Sequence, residues 1–331
     1  MARSVRTMRT AIAVGCLGLL LSWWAGPADA QVVCGGTIAA SATMTSDLAC
    51  DASAGPGVTV AAGAVLDMAG HSITCTAGTN AGVKIAGDGA TVRGGALAGC
   101  NKGVEVAGNS NRVIGVVVRF SPATAYGIRV IGNSNVVKRC AVRDSATDAF
   151  AIAGDGNRVL RNVGVGGGEA TFSIESGSAN VVADNLAYFS NANGFLLGQT
   201  SSATVLVENT AVAGEVGFNI AGSAHQLADN VALDQQTRGF GISFDSSGNR
   251  LIGNSSQFSG DGFDVVGTSN RLRRNLAFDH DGAGLILRGP QNTAQRNVAV
   301  ANQMVDLSDP AGCQNTWSSN VFATSDAACI H

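Results

Sequence analysis

Apolar residues recur in pairs separated by one residue, at a mean interval between 22 and 23 residues. Residues at a spacing of two point to the same side of a β-strand. Each pair therefore predicts a short strand with one buried face. The twelve pairs are Val58/Val60, Val83/Ile85, Val104/Val106, Ile128/Val130, Phe150/Ile152, Phe172/Ile174, Phe195/Leu197, Phe218/Ile220, Ile242/Phe244, Phe263/Val265, Leu285/Leu287 and Val305/Leu307.

Asparagine follows the same period. One series holds over eight repeats: Asn162, Asn185, Asn209, Asn230, Asn254, Asn275, Asn297 and Asn320. Five residues before each member stands a polar residue, in six of the eight cases another asparagine. Each repeat also contains two more short alternating segments, as around Val159 and around Val163/Val165. The pattern predicts an all-β fold, a single-stranded right-handed parallel β-helix of about 11–12 coils with three short strands per coil.

A leucine-rich horseshoe has a similar period but needs leucine at most core positions, and here valine, isoleucine, phenylalanine and leucine are mixed. In the β-helix, equivalent residues of successive coils lie about 4.8 Å apart. Inward asparagines would then form a hydrogen-bonded ladder that satisfies turn backbone groups. Cys140 stands at a ladder position, so we expect a buried free thiol that replaces one asparagine.

The first thirty residues have the features of a secretory signal peptide. Arg3, Arg6 and Arg9 precede an apolar run that ends in an Ala-Asp-Ala site at Ala30. The apolar run is short for a membrane anchor, the alternative interpretation. We therefore predict a secreted or periplasmic protein with no membrane insertion of the mature chain. The predicted parts are a signal peptide (1–30), an N-terminal cap (31–56), the β-helix (57–308) and a C-terminal cap (309–331).

Composition supports this fold and limits the partners. The chain has 44 glycines, only five prolines and 5% aromatic residues, which disfavours long helices. Removal of residues 1–30 changes the formal charge from −3 to −5. Because no long basic run is present, we predict no nucleic-acid partner.

The cysteines fit the ends of such a rod. In a secreted protein disulfides persist, and we predict three: Cys34–Cys50 and Cys313–Cys329 in the caps, and Cys75–Cys100, whose separation of 25 residues is close to one coil.

Two segments resemble a known family. "VTVAAGAVLDMAGHSITC" (58–75) is similar to the opening coil of secreted bacterial right-handed parallel β-helix repeat proteins, and "CQNTWSSNVFATSDAACI" (313–330) is similar to their C-terminal ending. The resemblance covers nearly all of the mature chain and implies the pectin-lyase-like scaffold. Pectate lyases, polygalacturonases, alginate epimerases, tailspike proteins and the copper-maturation protein of nitrous oxide reductase share it, so it implies no single activity.

The densest group of candidate catalytic residues lies in three consecutive loops. It consists of Arg238, Asp261, Asp279, His280 and Asp281. Stacking would bring them into a carboxylate–histidine–arginine patch suited to acid–base chemistry on a sugar. Solvated charges on polar loops are the alternative. No complete catalytic motif is present, so the pattern leaves open whether the protein is an enzyme. We predict no cofactor or metal site, although the Asp-His-Asp sequence leaves Ca²⁺ open.

Other charged residues suggest a ligand-binding surface. Asp264 is predicted to face outward, and Arg271, Arg273 and Arg274 form the most basic point of the chain, which could meet an acidic polysaccharide. A merely solvated charged face is the alternative. His71 and His225 are interpreted as structural residues.

The sequence thus predicts a secreted β-helix protein that binds polysaccharide. If the protein is an enzyme, we expect it to modify that polysaccharide by a lyase, hydrolase or epimerase-like activity. The alternative is a non-catalytic extracellular scaffold. A copper-maturation role has little support, because the chain has four histidines and no methionine cluster.

Overall fold

The computed structural model describes residues 31–77, 80–119 and 126–331, and the predicted signal peptide lies outside them. These residues contain β-strands and no helix. Every ladder between the strands is parallel, and strands pair with equivalents in neighbouring coils. Because each coil contributes one strand to each of three sheets, the chain winds into a β-solenoid of about twelve turns, as the repeat predicts. No helix among the described residues is long and apolar enough to cross a membrane.

Sheet 1 has thirteen strands. They are Gly36–Ile38, Val58–Ala61, Ala81–Ala86, Lys102–Ala107, Tyr126–Ile131, Asp148–Ala153, Ala170–Ser178, Asn193–Ser202, Val216–Ile220, Arg238–Ile242, Asp261–Val265, Ala283–Leu287 and Val305–Ser308.

Sheets 2 and 3 share two long strands, Thr91–Ala98 and Arg112–Arg119. The other strands of sheet 2 are Ser41–Thr43, Val65–Asp67, Val136–Lys138, Arg158–Leu160, Val181–Ala183, Val205–Val207, Gln226–Ala228, Arg250–Ile252, Arg271–Arg273, Thr293–Gln295 and Thr316–Ser318. The other strands of sheet 3 are Leu48–Asp51, Ser72–Ala77, Ala141–Arg143, Val163–Val165, Leu186–Tyr188, Thr210–Val212, Val231–Leu233, Ser255–Gln257, Leu276–Phe278 and Val298–Val300.

The N-terminal segment 31–56, predicted as a cap, contributes a coil of its own. Gly36–Ile38 pairs with Val58–Ala61 in sheet 1, and Leu48–Asp51 pairs with Ser72–Ala77 in sheet 3. The stacked rod therefore begins about one coil earlier than the sequence pattern suggested, because its first coil lacks the apolar pair after glycine.

Three disulfides join the cysteine pairs that the sequence suggested. Cys34–Cys50 lies in the first coil, Cys75–Cys100 links consecutive coils, and Cys313–Cys329 closes the C-terminal end. Cys140 is a buried free thiol, 2% exposed.

The core contains a column of six stacked phenylalanines. Their ring centroids are 4.6–4.9 Å apart and their planes lie within 4–7° of parallel. The column consists of Phe150, Phe172, Phe195, Phe218, Phe240 and Phe263. One predicted pair was wrong: the inward residues of its coil are Phe240 and Ile242, and Phe244 is 75% exposed. Alternation alone fitted both registers, and stacking against Phe218 and Phe263 selects the observed one.

The asparagine series forms a continuous ladder at the corner between sheets 2 and 3. In each step the side-chain oxygen of one asparagine accepts a hydrogen bond from the backbone N–H of the preceding one, at 2.9–3.0 Å. The ladder runs through Asn162, Asn185, Asn209, Asn230, Asn254, Asn275, Asn297 and Asn320. Cys140 precedes it and donates its backbone N–H to Asn162 at 2.9 Å.

Candidate functional site

His280, a candidate for the catalytic patch of loop residues, lies inside the solenoid. The side chain is fully buried. Its Nδ1 accepts a hydrogen bond from the backbone N–H of Ser259 at 3.1 Å, and its Nε2 lies 3.1 Å from the backbone oxygen of Ser256. Burial lowers its pKa and keeps the ring neutral. The histidine therefore satisfies backbone groups and is not accessible to a substrate.

The inward position of His280 belongs to another ladder of polar turn residues. Gln235, Ser259, His280 and Asn302 follow one another at intervals of 21 to 24 residues, and each accepts a hydrogen bond from the backbone N–H of the coil before it. This spacing is the signal that marks His280 as a ladder residue. His225 plays the same part in another ladder, where Nδ1 accepts from the backbone N–H of Thr204 at 3.1 Å. Burial lowers the pKa of His225 to about 4.

The acidic residues of the predicted patch have separate partners. Oδ1 of Asp261 accepts a hydrogen bond from the backbone N–H of Ala283 at 2.8 Å, and Oδ1 of Asp281 accepts one from the side chain of Gln303 at 2.8 Å. Asp279 is exposed at a corner with a φ of 57°. Among the described residues, no group of three or more histidine, cysteine, aspartate or glutamate side chains is placed to hold a metal ion.

Arg238 takes part in a different contact, on the outer face of sheet 1. Its Nη1 lies 3.0 Å from Oδ2 of Asp264, and Nε of Arg288 lies 2.7 Å from Oδ1 of the same carboxylate. Asp264 faces outward as predicted, but its two arginines leave it only 7% exposed. Gly241 permits this contact, because a Cβ there would lie 2.9 Å from Cδ of Arg238. The two arginines neutralise Asp264 and form a net cationic group.

A second cluster on the outer face of sheet 1 was missed by the sequence reasoning. Tyr126 pairs in register with Asp148 of the next coil, and Arg129 pairs with Ala151. The guanidinium of Arg129 lies 4.6 Å from the ring centroid of Tyr126 and 3.7 Å from a carboxylate oxygen of Glu175. We call Tyr126, Arg129, Asp148 and Glu175 the sheet 1 cluster.

Asp148 is the most perturbed carboxyl of the sheet 1 cluster. It is 5% exposed, and its Oδ1 accepts a hydrogen bond from the backbone N–H of Ala170 at 2.9 Å. Burial, assisted by the negative charge of Glu175, raises the pKa of Asp148 to about 7. Burial also raises the pKa of Tyr126, which keeps its hydroxyl protonated. The carboxyl can therefore gain or lose a proton near neutral pH.

Arg129 retains an unused hydrogen-bonding group. Its Nε is buried and has no hydrogen-bond partner among the described residues. Buried polar groups without partners are uncommon in folded proteins, and a ligand or ordered water often completes them. A cation, a phenol and a carboxyl that titrates near neutrality thus lie together on the outer face of sheet 1, where the cation and the phenol are half-buried and the carboxyl is buried.

The predicted ligand-binding arginines lie on another side of the rod. Arg271 and Arg273 project from sheet 2, and Arg274 follows at the corner toward sheet 3. All three are exposed. They are separate from both the sheet 1 cluster and Asp264, so the structure brings the predicted site residues to more than one surface.

Comparison with known proteins identifies the scaffold. A family model described as a right handed beta helix region matches residues 81–232. No curated protein matches the sequence significantly. Among solved structures, similar folds include the Dettilon tailspike protein (TM-score 0.63, 14% identity, 83% of this chain and 64% of the tailspike). The chain thus spans less than two thirds of the tailspike.

In two further structures the match covers a larger share of the known protein. A variant of the periplasmic alginate epimerase AlgG has a TM-score of 0.61 and 9% identity over 89% of this chain and 79% of the epimerase. The pectate lyase Pel9A has a TM-score of 0.57 and 17% identity over 73% of this chain and 71% of the lyase. At these identities the likeness establishes a common fold.

Proposed function

We propose that this chain, a right-handed parallel β-helix repeat protein, binds polysaccharide on the outer face of sheet 1 and acts outside the cytoplasm, as a secreted or periplasmic protein. The observation that carries the proposal is the sheet 1 cluster, where the half-buried Arg129 pairs with Glu175 and the buried carboxyl of Asp148 has a pKa of about 7. The solved structures with this fold include an alginate epimerase and a pectate lyase, which supports a polysaccharide as the ligand. The three disulfides support an oxidising compartment.

The shape of sheet 1 suits an extended polymer. Its outward residues repeat at the coil spacing of about 4.8 Å, so polar groups stand in rows along the rod. One row contains Lys84, Glu105, Arg129 and, further along, Asn219 and Asp264. The same row also contains Ala151, Leu196 and Gly241, so a chain of sugars lying along it would meet hydrogen-bonding groups at some coils and apolar surface at others.

The sheet 1 cluster contains groups that could bind a sugar and transfer a proton. A protonated Asp148 donates a hydrogen bond, and the same group accepts a proton once ionised, because its pKa lies near neutral pH. Arg129 would hold a sugar hydroxyl or carboxylate through its free donors. If the bound polymer is also modified, Asp148 is the residue we propose for proton transfer.

The test measures binding and turnover in parallel. The full chain is applied to an array of uronates, pectins, alginates and neutral glycans, and product formation is followed by reducing ends and by unsaturated products. Asp148→Asn and Arg129→Gln are compared with Asp229→Asn, an exposed carboxyl at the corner between sheets 2 and 3.

We expect Arg129→Gln to weaken binding about tenfold or more, as the loss of a charge-assisted hydrogen bond does. Asp148→Asn should abolish any turnover, and Asp229→Asn should change neither. Binding unaffected by both substitutions in the sheet 1 cluster would move the site elsewhere. Absence of binding and turnover across the whole array would remove the carbohydrate proposal.

One observation favours the alternative, a non-catalytic extracellular scaffold. Aromatic residues are exposed on sheet 3 and its corner: Tyr188 (37% exposed) contacts Phe189 (53%), and Phe258 (51%) contacts Phe278. Exposed apolar surface of this kind is typical of protein contacts. A protein that binds no glycan but associates through sheet 3 would support the scaffold.

A further inference from the structure

Three arginines surround one concavity on the outer face of sheet 2. Arg250 and Arg271 are partners in register on consecutive coils, and Arg273 follows Arg271 on the same side of its strand. With Ile252, Thr293 and Gln295 on neighbouring strands they line a cavity of about 170 Å³. We call Arg250, Arg271 and Arg273 the arginine cluster.

The arginine cluster has no internal counter-ion. None of its guanidinium groups lies within 4.0 Å of a carboxylate of the described residues, whereas Arg93, Arg129, Arg161, Arg238 and Arg288 each do. Like charges on directly opposed strand positions destabilise a sheet. The mature chain is acidic overall, so this concentration of positive charge is a local feature. An external anion would relieve the repulsion.

The contacts of Asp264 show how arginines on this protein bind an anion, and the arginine cluster can be compared with them. Two arginines suffice to hold this carboxylate, one on each oxygen. The arginine cluster offers three guanidinium groups from two coils, with the neutral side chains of Thr293 and Gln295 beside them. A tetrahedral oxyanion presents three or more oxygens in different directions and fits several guanidinium groups better than a planar carboxylate does.

The positive surface continues along the rod. Arg274 and Arg296 occupy the adjoining corner on consecutive coils, both exposed and both with a φ of 56°. The five arginines therefore extend over three stacked coils, or about 10 Å along the axis. A single small anion would contact only part of this row of arginines, whereas a polymer with repeated anionic groups could contact all of it.

We infer that the arginine cluster binds the sulfate or phosphate groups of an anionic polymer, on a surface separate from the polysaccharide site proposed for sheet 1. The guanidinium groups of Arg250, Arg271 and Arg273 contact one such group in the concavity. Arg274 and Arg296 contact the next group along the polymer. The binding is electrostatic and weakens as salt screens the charges.

The chain offers a matched control. Arg112 and Arg158 occupy the same row of sheet 2 as Arg250, in coils nearer the N-terminus, and Arg139 stands at the corner between them. All three are exposed. A variant with glutamine at 112, 139 and 158 loses the same charge as one with glutamine at 250, 271 and 273.

The experiment measures the affinity of both triple variants, the unmodified chain and Asp148→Asn. The probes are heparin for sulfate, polyphosphate for phosphate, polygalacturonate for carboxylate and dextran as a neutral polymer. We expect heparin, polyphosphate or both to bind the unmodified chain. The triple variant with Arg250→Gln, Arg271→Gln and Arg273→Gln should bind them about a hundredfold more weakly. The control variant should change it less than about threefold, as loss of a distant exposed charge does.

Heparin and polyphosphate show which source carries the oxyanion, and binding of either supports the inference. Asp148→Asn should leave this binding unchanged, which separates it from the sheet 1 proposal. Equal weakening in the two triple variants would show an effect of net charge alone and overturn the inference. Equally tight, equally sensitive binding of polygalacturonate would overturn the assignment to sulfate or phosphate, as would no binding of either polyanion.

Discussion

The side-chain oxygen of Asn254 accepts two hydrogen bonds from Asn230, one from its backbone N–H at 3.0 Å and one from its side-chain amide at 2.9 Å. The amide of Asn230 also donates to the backbone oxygen of Leu206 at 3.0 Å. One buried residue therefore connects three consecutive coils. Each bond contributes only about 1 kcal/mol, but a buried group left without a partner costs about 1–3 kcal/mol.

Asn230→Ala should destabilise the fold by about 2–4 kcal/mol. The substitution leaves the backbone N–H of Asn209 without its partner in the interior and removes the amide donor to the backbone oxygen of Leu206. Urea unfolding followed by circular dichroism measures the change. Asn320→Ala, at the half-buried end of the ladder, should destabilise the fold by about 1 kcal/mol or less, because water can replace the lost hydrogen bonds there. Equal, small losses at both positions would show that the ladder contributes little to stability.

Phe218→Ala should cost about 3–5 kcal/mol, as is usual when a buried aromatic ring is removed. Phe218 is fully buried and stacks on Phe195 and Phe240 at 4.7 and 4.6 Å. The control is Phe244→Ala, because this ring is 75% exposed and its loss should change the free energy of unfolding by less than about 0.5 kcal/mol. A similar effect of the two substitutions in urea unfolding would contradict the stacked core.

Cys140 should resist thiol reagents in the folded protein. Burial raises the pKa of its thiol to about 11, so at pH 8 it stays protonated and inaccessible. Maleimide labelling followed by mass spectrometry should modify it only after denaturation in guanidinium chloride, and Cys140→Ser supplies the background. Rapid labelling under native conditions would mean that the thiol is reached through local opening.

Asp148 should make the protein less stable as the pH rises. Its pKa is about 7 in the folded state and about 4 in an unfolded chain, so the folded state binds the proton more tightly. The resulting stabilisation is fully present below about pH 4 and is lost as the pH rises to about 7. In Asp148→Asn this loss should be absent, so the variant gains at least about 2 kcal/mol relative to the unmodified chain over that window. Urea unfolding at several pH values tests the difference, and parallel curves would show that the carboxyl ionises normally.

The residues at fixed spacing were the ones whose place the sequence could indicate. Asn230 and Asn254 are 24 residues apart in a series of like residues, and an equivalent place in each coil is the simplest cause of such a series. His280 was misassigned because its neighbours Asp279 and Asp281 are polar, which suggested an open loop. Its separation of 21 residues from Ser259 along the sequence was the better indication of a ladder position. The residues of that ladder differ chemically, however, so they are not recognised as one series.

The sheet 1 cluster had no sequence signal of its own. Tyr126 and Asp148 stand in separate coils without a shared motif, and their contact follows from the register of the strands. The pKa of Asp148 depends on burial and on Glu175, which reaches back from the following coil toward Arg129. These are properties of the assembled surface, so only the structure could bring them together.

The sequence by itself determined the repeating coil, because a period of apolar pairs and inward polar residues is satisfied only when successive coils stack in register. Tertiary structure decided which turn residues point inward, where Arg238 crosses Gly241 to meet Asp264, and which arginines are left without a carboxylate. The physical reason is that the repeat period determines which residues of successive coils stack on each other. The environment of each side chain depends, in addition, on every other group that packs around it.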